Sequence, residues 1–181
     1  MKLKQNQKQK QNQKQKQKSG QRQGSGQSRK PKSVLTAGKL RFAVVQSRFN
    51  ERINDWLLTG AKKYFAAQGC PLADSDIFYV PGAFEAPLLA QTLARTKRYT
   101  GIVCLGSVVK GDTAHFEFVS LGATLGIQQA ALATGVPIAF GIITTYTLAQ
   151  AYERCEDDEK NKGREAAAAC LDLALTLKSL R

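Results

Sequence analysis

From residue 40 onwards, apolar runs alternate with amphipathic stripes, and this alternation constrains the fold more than any other feature of the chain. "LRFAVVQS" reads as a strand. Ile53, Trp56, Leu57, Ala61, Tyr64 and Phe65 then recur at helical spacing within residues 51–68. "DIFYVPG" is a second strand and "EAPLLAQTLARTK" a second helix. "GIVCLGSVV" is almost wholly apolar, as a strand covered on both faces must be. Phe118, Leu121 and Leu125 mark the next helix, "PIAFGIITT" the fourth strand, and residues 147–155 and 163–179 two closing helices. On the last helix, Ala166, Cys170, Leu173, Leu177 and Leu180 are expected on one buried face. Four strands separated by helices imply right-handed βαβ units, and so an α/β fold with a four-stranded parallel sheet between two helical layers. So small a sheet would gain from having its edges covered in an oligomer.

The chain divides by charge. Its formal net charge is +13 over 181 residues. Residues 1–33, "MKLKQNQKQKQNQKQKQKSGQRQGSGQSRKPKS", hold 9 lysines and 2 arginines and no acidic residue, leaving a nearly balanced remainder of 16 basic and 14 acidic residues. Two segments follow: a Lys/Gln-rich leader over 1–36, expected to be disordered for want of apolar surface, and one domain over 37–181. The leader reads either as a solubilising tail, native or added for expression, or as a non-specific binder of nucleic acid or other polyanions. It has no aromatic residue on which a base would stack. No signal peptide or membrane span is visible, and the Lys-Gln alternation does not look like an amphipathic transit peptide, though that reading stays open. Cys70, Cys104, Cys155 and Cys170 form no C-x-x-C pair, and with one histidine in the chain a zinc site is not expected. Free thiols suit a reducing compartment, the cytoplasm.

In a parallel sheet of this kind ligands bind beyond the carboxyl ends of the strands. Those ends lead into "SRFN", "VPGAFE", "KGDTAHF" and "TTYT". "KGDTAHF" offers a lysine, a glycine, a hydroxyl and a helix N-terminus whose free N–H groups attract anions. Asp112 complicates that reading, because it can cap the helix itself. His115 is either structural or a proton-transfer group. Glu85 either complements a helix dipole or binds ligand, and Phe49 either staples the first helix or stacks on a flat ring. Arg154 and Lys162 flank the acidic run "EDDEK", whose plain reading is a solvated loop. Neither a Walker A sequence nor G-x-G-x-x-G follows a strand, so nucleotide-binding folds gain no support.

Taken in order, "SRFN", "VPGAFE", "GSVVKGDTAHFEFVS", "PIAFGIITT", "ERCEDDEKNKGREAA" and "LKSLR" resemble lumazine synthase from about residue 39 to the end. The resemblance implies a three-layer αβα sandwich, flavodoxin-like. It also implies condensation of 5-amino-6-ribitylaminouracil with 3,4-dihydroxy-2-butanone 4-phosphate, the penultimate step of riboflavin biosynthesis, with no metal or organic cofactor. By that resemblance Phe49 would stack on the pyrimidine, while Ala83, Phe84 and Glu85 would surround the ribityl chain and ring. Val108, Val109 and Lys110 would approach the ring edge. Gly111, Asp112 and Thr113 would contribute to the phosphate site, with His115 as general acid and base. Phe140 and Arg154 would come from a neighbouring subunit, Arg154 to bind phosphate, and Lys162 would lie close by. Where this chain has Lys110 the family more often has arginine; lysine keeps the charge but lacks the planar fork. The family forms homo-pentamers, and the short "RCEDDEKNKG" loop points towards a 60-subunit icosahedral capsid. Two other readings are a shell-forming scaffold of the same fold with little activity, and a related riboflavin-pathway enzyme such as the archaeal-type riboflavin synthase.

Overall fold

The computed structural model describes residues 40–156 and 159–180. The expected leader, 1–36, and the boundary at residue 36 lie outside those residues, as do Asp157 and Asp158 of the acidic run. The elements follow the predicted alternation: β1 (Phe42–Ser47), α1 (Glu51–Ala67), β2 (Ile77–Val80), α2 (Ala86–Arg95), β3 (Gly101–Val109), α3 (His115–Thr134), β4 (Ile138–Thr145), α4 (Leu148–Cys155) and α5 (Lys162–Ser179). All strand pairings are parallel, in the order β2-β1-β3-β4.

The strand period of two divides the core into two halves. Phe42 and Val44 of β1 and Val103 and Leu105 of β3 pack with α1, α4 and α5; Phe65 stacks on Phe42 with ring centroids 4.6 Å apart. Ala43, Val45, Ile102 and Cys104 face the other way, onto α2 and α3. This is the three-layer αβα sandwich. All four cysteines are free and buried. Burial pushes the Cys170 thiol up to about 12 and raises that of Cys104 as well. Among the described residues no helix is long and apolar enough to cross a membrane.

One helical face, that of α5, differs from the sequence reading. On α5 the buried residues are Ala166, Ala167, Cys170, Leu171 and Ala174, whereas Leu173 and Leu180 are exposed. The small side chains turn inward because the helix runs close to the sheet: a Cβ on Gly141 would meet Ala166, and one on Gly101 would meet Cys170. On α3 the buried residues are Ala123, Ile127 and Ala130, while Phe118, Leu121 and Leu125 point outward.

The amino ends of the strands form a closed pole. Arg41 grips Asp76 with two hydrogen bonds, Nη2 to Oδ1 at 2.6 Å and Nε to Oδ2 at 3.0 Å, and the Tyr99 hydroxyl donates to the same carboxylate at 3.0 Å. The Arg41 guanidinium holds the Asp76 carboxyl below its ordinary range. β1, the turn before β2 and the turn before β3 are thereby clasped together.

Candidate functional site

The carboxyl ends of the strands form the opposite, open rim. After β1 the chain is laid across the exit of β2: Arg48 N–H donates to the Val80 carbonyl at 2.9 Å and Phe49 N–H to that of Pro81 at 3.1 Å. Asn54, fully buried in α1, donates to the carbonyls of Ser47 and Phe49, both at 2.7 Å. Asn50 takes a left-handed conformation (φ 64°) and donates to the Ser107 carbonyl at 3.3 Å. These bonds fix the backbone and leave the Phe49 ring 69% exposed, so it does not staple α1.

After β2, Ala83, Phe84 and Glu85 form a short 3₁₀ turn ahead of α2. One Glu85 carboxylate oxygen accepts from Gly82 N–H at 2.9 Å and so shapes the turn. Phe84 is 60% exposed. Phe49 and Phe84 thus present two aromatic rings on neighbouring loops.

After β3, Lys110 N–H donates to the Thr145 carbonyl at 2.8 Å. Its ammonium pairs with Glu117 at 3.1 Å and lies 5.4 Å from the Tyr146 ring centre. Glu117's own N–H and the Lys110 ammonium hold its carboxyl below the ordinary range. Helix α3 begins at His115 with Ala114 at its N-cap and no side-chain cap. Asp112 therefore does not cap it; the Thr113 hydroxyl instead accepts from His115 N–H at 3.4 Å. Glu117 N–H donates to the Ala114 carbonyl at 3.2 Å, so of the first-turn N–H groups of α3 that of Phe116 is the one open to a ligand.

Phe49, Ala83, Phe84, Glu85, Val108, Val109, Gly111, Thr113 and His115 line one cleft of about 620 Å³. The sequence reading missed Ser107, Phe116, Phe118 and Val119 on the same wall. "HFEF" was the available signal: residues beside a helix start at the rim cannot all turn into the core. Lys110 and Asp112 sit in the same turn but outside the lining. Phe140 lies on β4 in register with Cys104, away from the cleft, and is 41% exposed. Arg154 Nη1 donates to the Gln150 carbonyl at 2.9 Å, and Lys162 Nζ lies 2.7 Å from both Glu165 carboxylate oxygens. One chain thus supplies an aromatic slot, an imidazole and a helix start with one open N–H, but no cation within the cleft lining. Such a surface suits a flat ring beside an anion.

The segment "NKG" has a different place. Asn161, 1% exposed, accepts from Arg164 N–H at 3.0 Å to cap α5. It also donates to the carbonyls of Trp56 (3.1 Å), Cys155 (2.7 Å) and Glu156 (3.1 Å). Gly163 packs against the backbone of α1 at Leu57 so closely that a Cβ there would meet the Leu57 carbonyl.

A protein-family model described as 6,7-dimethyl-8-ribityllumazine synthase matches residues 39–178. A Caulobacter vibrioides protein named 6,7-dimethyl-8-ribityllumazine synthase 1 is 58% identical over 141 residues, covering 78% of this chain and 92% of its own. Proteins named 6,7-dimethyl-8-ribityllumazine synthase from Nitratidesulfovibrio vulgaris (strain Miyazaki F) and Deinococcus radiodurans are each 46% identical. They cover 78% and 82% of this chain and 90% and 96% of their own.

Proposed function

The chain belongs to the 6,7-dimethyl-8-ribityllumazine synthase family, and from that premise we propose that the rim cleft is where its reaction takes place. The enzyme is a transferase of riboflavin biosynthesis. It condenses 5-amino-6-ribitylaminouracil with 3,4-dihydroxy-2-butanone 4-phosphate, giving 6,7-dimethyl-8-ribityllumazine, phosphate and water. The observation that carries the site assignment is the convergence of Phe49, Phe84 and His115, from three separate loops, on one cleft.

In this reading Phe49 stacks on the pyrimidine, Ala83, Phe84 and Glu85 hold the ribityl chain and ring, and Val108 and Val109 meet the ring edge. Gly111, Thr113 and the Phe116 N–H at the start of α3 receive the phosphate, with Asp112 and Lys110 flanking it. Imine formation, loss of phosphate and ring closure each move a proton, and His115 stands beside the anion site to accept and return it. Holding both substrates in one slot replaces a bimolecular encounter with a positioned one, so part of the rate survives without the imidazole.

The remaining parts come from a second copy. The cleft of one chain lacks a cation for phosphate. Arg154, Phe140 and Lys162 lie elsewhere on the same chain, and the outward face of α3 carries Phe118 (71% exposed), Leu121, Leu125 and Leu132. A pentamer would cover that face and bring Arg154 and Phe140 of one copy to the cleft of the next; twelve pentamers would close a 60-subunit capsid. Sedimentation and negative-stain microscopy distinguish monomer, pentamer and shell. The four buried free thiols suit work in the cytoplasm. The leader is a polyanion-binding segment in this reading, on the strength of its eleven cations and lack of acids.

The direct test mixes the protein with both substrates and follows the lumazine chromophore. Arg154→Ala should raise the KM for the phosphate substrate about tenfold or more, with a much smaller change for the pyrimidine. Equal effects on both would remove Arg154 from the phosphate site. A scaffold without activity predicts no chromophore; the naming of relatives at 46–58% identity as synthases weighs against it.

A further inference from the structure

The ammonium of Lys110 is more heavily partnered than its place in the chain explains. It lies 3.1 Å from a Glu117 carboxylate oxygen, 5.4 Å from the centre of the Tyr146 ring and 6.0 Å from that of Phe116. The two rings are themselves 6.1 Å apart, and Tyr146 is fixed by its N–H, which donates to Gln150 Oε1 at 2.9 Å. The plain reading is a brace that ties the turn after β3 to the turn after β4. That tie already exists in the backbone, where Lys110 N–H meets the Thr145 carbonyl at 2.8 Å. The ion pair adds little to it, because both side chains are half-exposed and such pairs are weak in water. Glu117 has a reason of its own to stand in the first turn of α3, where a carboxylate complements the helix dipole. That reason does not extend to Lys110.

Lys110 does stand at the edge of the anion site. Val109 and Gly111, on either side of it, line the cleft, and Phe116 borders both the cleft and the ammonium. The lining holds a carboxylate, Glu85, and neither lysine nor arginine. Arg48, after β1, is turned onto the Tyr79 ring, 5.5 Å from its centre. With its backbone held against Thr145, Lys110 can still carry its ammonium to another partner, because the four-carbon stem rotates about single bonds. A phosphate monoester competes well for it. It brings roughly two negative charges and three acceptor oxygens, against one charge on the carboxylate.

We propose that Lys110 is a phosphate ligand held in reserve: its ammonium passes from Glu117 to the phosphate of the four-carbon substrate, and Glu117, by competing for it, sets how tightly that phosphate is held. This rests on the reading of the cleft given above, with Gly111 and Thr113 at the phosphate. Glu117 is a positioning residue; it acts through Lys110 and touches neither substrate. Its competition keeps the released phosphate, a product of the reaction, from being retained. The phosphate oxygens leave room for Arg154 of a second copy as well as for Lys110.

The test uses inorganic phosphate as a competitive inhibitor against the four-carbon phosphate. Wild type, Glu117→Gln, Lys110→Gln and the double variant are compared, all full-length. Glu117→Gln should lower the inhibition constant of phosphate about threefold to fivefold, the range a half-exposed ion pair allows. The KM of the four-carbon phosphate should fall in step without a rise in kcat, while the KM of the pyrimidine and the thermal midpoint hold. Lys110→Gln should raise the inhibition constant about fivefold or more. In the double variant it should match that of Lys110→Gln, because the carboxylate's role is then gone with the ammonium it withholds. An inhibition constant unchanged or raised by Glu117→Gln overturns the proposal and leaves the pair a brace. Equal tightening with and without Lys110 also overturns it, since the carboxylate would then act by repulsion alone. Both failures leave phosphate competing with substrate in the wild type. Phosphate that does not compete there overturns the cleft reading itself, and the proposal with it.

Discussion

Two short segments of this chain are written in the same vocabulary and do opposite things. "KGDTAHF" and "NKG" each place a lysine beside a glycine at the start of a helix. At residues 110–116 that start is left partly open: the Thr113 hydroxyl takes only His115 N–H, Phe116 N–H has no partner among the described residues, residues 110–115 are exposed, and a Cβ on Gly111 would meet nothing within 4 Å. At residues 161–163 it is welded shut. Asn161 is buried with its amide spent on three carbonyls, and Gly163 lies against the backbone of α1. A helix start can thus be a place to receive an anion or a place to join elements. What decides between them is whether neighbouring backbone has already claimed its hydrogen bonds and its space.

The sharpest way to break the comparison is Gly163→Ala. The methyl would be driven into the carbonyl of Leu57, which belongs to a packed helix and cannot step aside as a flexible side chain would. Overpacking of this kind costs about 3 kcal/mol or more, so the variant should be poorly folded or lose most of its denaturation midpoint in urea. A midpoint near wild type would mean that α1 and α5 have slack the geometry denies.

Asn161 gives the next largest effect and separates its two jobs. Asn161→Ala removes the cap of α5 and orphans up to three carbonyls, for a loss of about 2–4 kcal/mol. Asn161→Asp keeps an acceptor for Arg164 N–H but loses the donors to Trp56, Cys155 and Glu156. If capping were the whole role, the aspartate would restore stability in chemical denaturation. The buried donor network predicts that it fails to.

At the open segment the same kind of change should move rate and leave stability alone. His115 is exposed and its ring anchors no packing in the core. His115→Ala should cut turnover about a hundredfold, which is about 2.7 kcal/mol of barrier, with the thermal midpoint unchanged. Wild-type turnover in that variant would remove the imidazole from the reaction; a collapsed midpoint would make it structural.

The contrast also marks what the sequence makes legible. The strands and helices were readable because β1 and β3 are apolar on both faces and because strand and helix periods differ. The loops converging on the cleft were readable from their position after strands. Which face of α3 and α5 turns inward was not. Alanine and leucine both count as apolar, and only the closeness of the helix to the sheet selects the small ones for the interior. The weld was invisible for a related reason. Asn161 is joined to Trp56, 105 residues earlier, and nothing local signals a polar residue that is buried because its partners are distant. Lys162 drew attention as the charged member of "NKG", while the two residues beside it hold the fold.

Gly111→Ala is the mildest change and tests the contrast most closely. The φ of Gly111 lies outside the left-handed region, and no atom stands within 4 Å of the place a methyl would occupy. Alanine should therefore leave stability within about 0.5 kcal/mol of wild type, or raise it slightly by restricting the unfolded chain. The same methyl added at Gly163 meets backbone, so the two variants form a controlled pair: one chemical change, one closed site and one open site. If the Gly111 backbone approaches the substrate phosphate, the methyl stands where the anion must come. The KM for the four-carbon phosphate should then rise severalfold while that for the pyrimidine and the thermal midpoint hold. An unchanged KM would confine the phosphate site to Thr113 and the first turn of α3, and the glycine would be there only to let the chain leave β3.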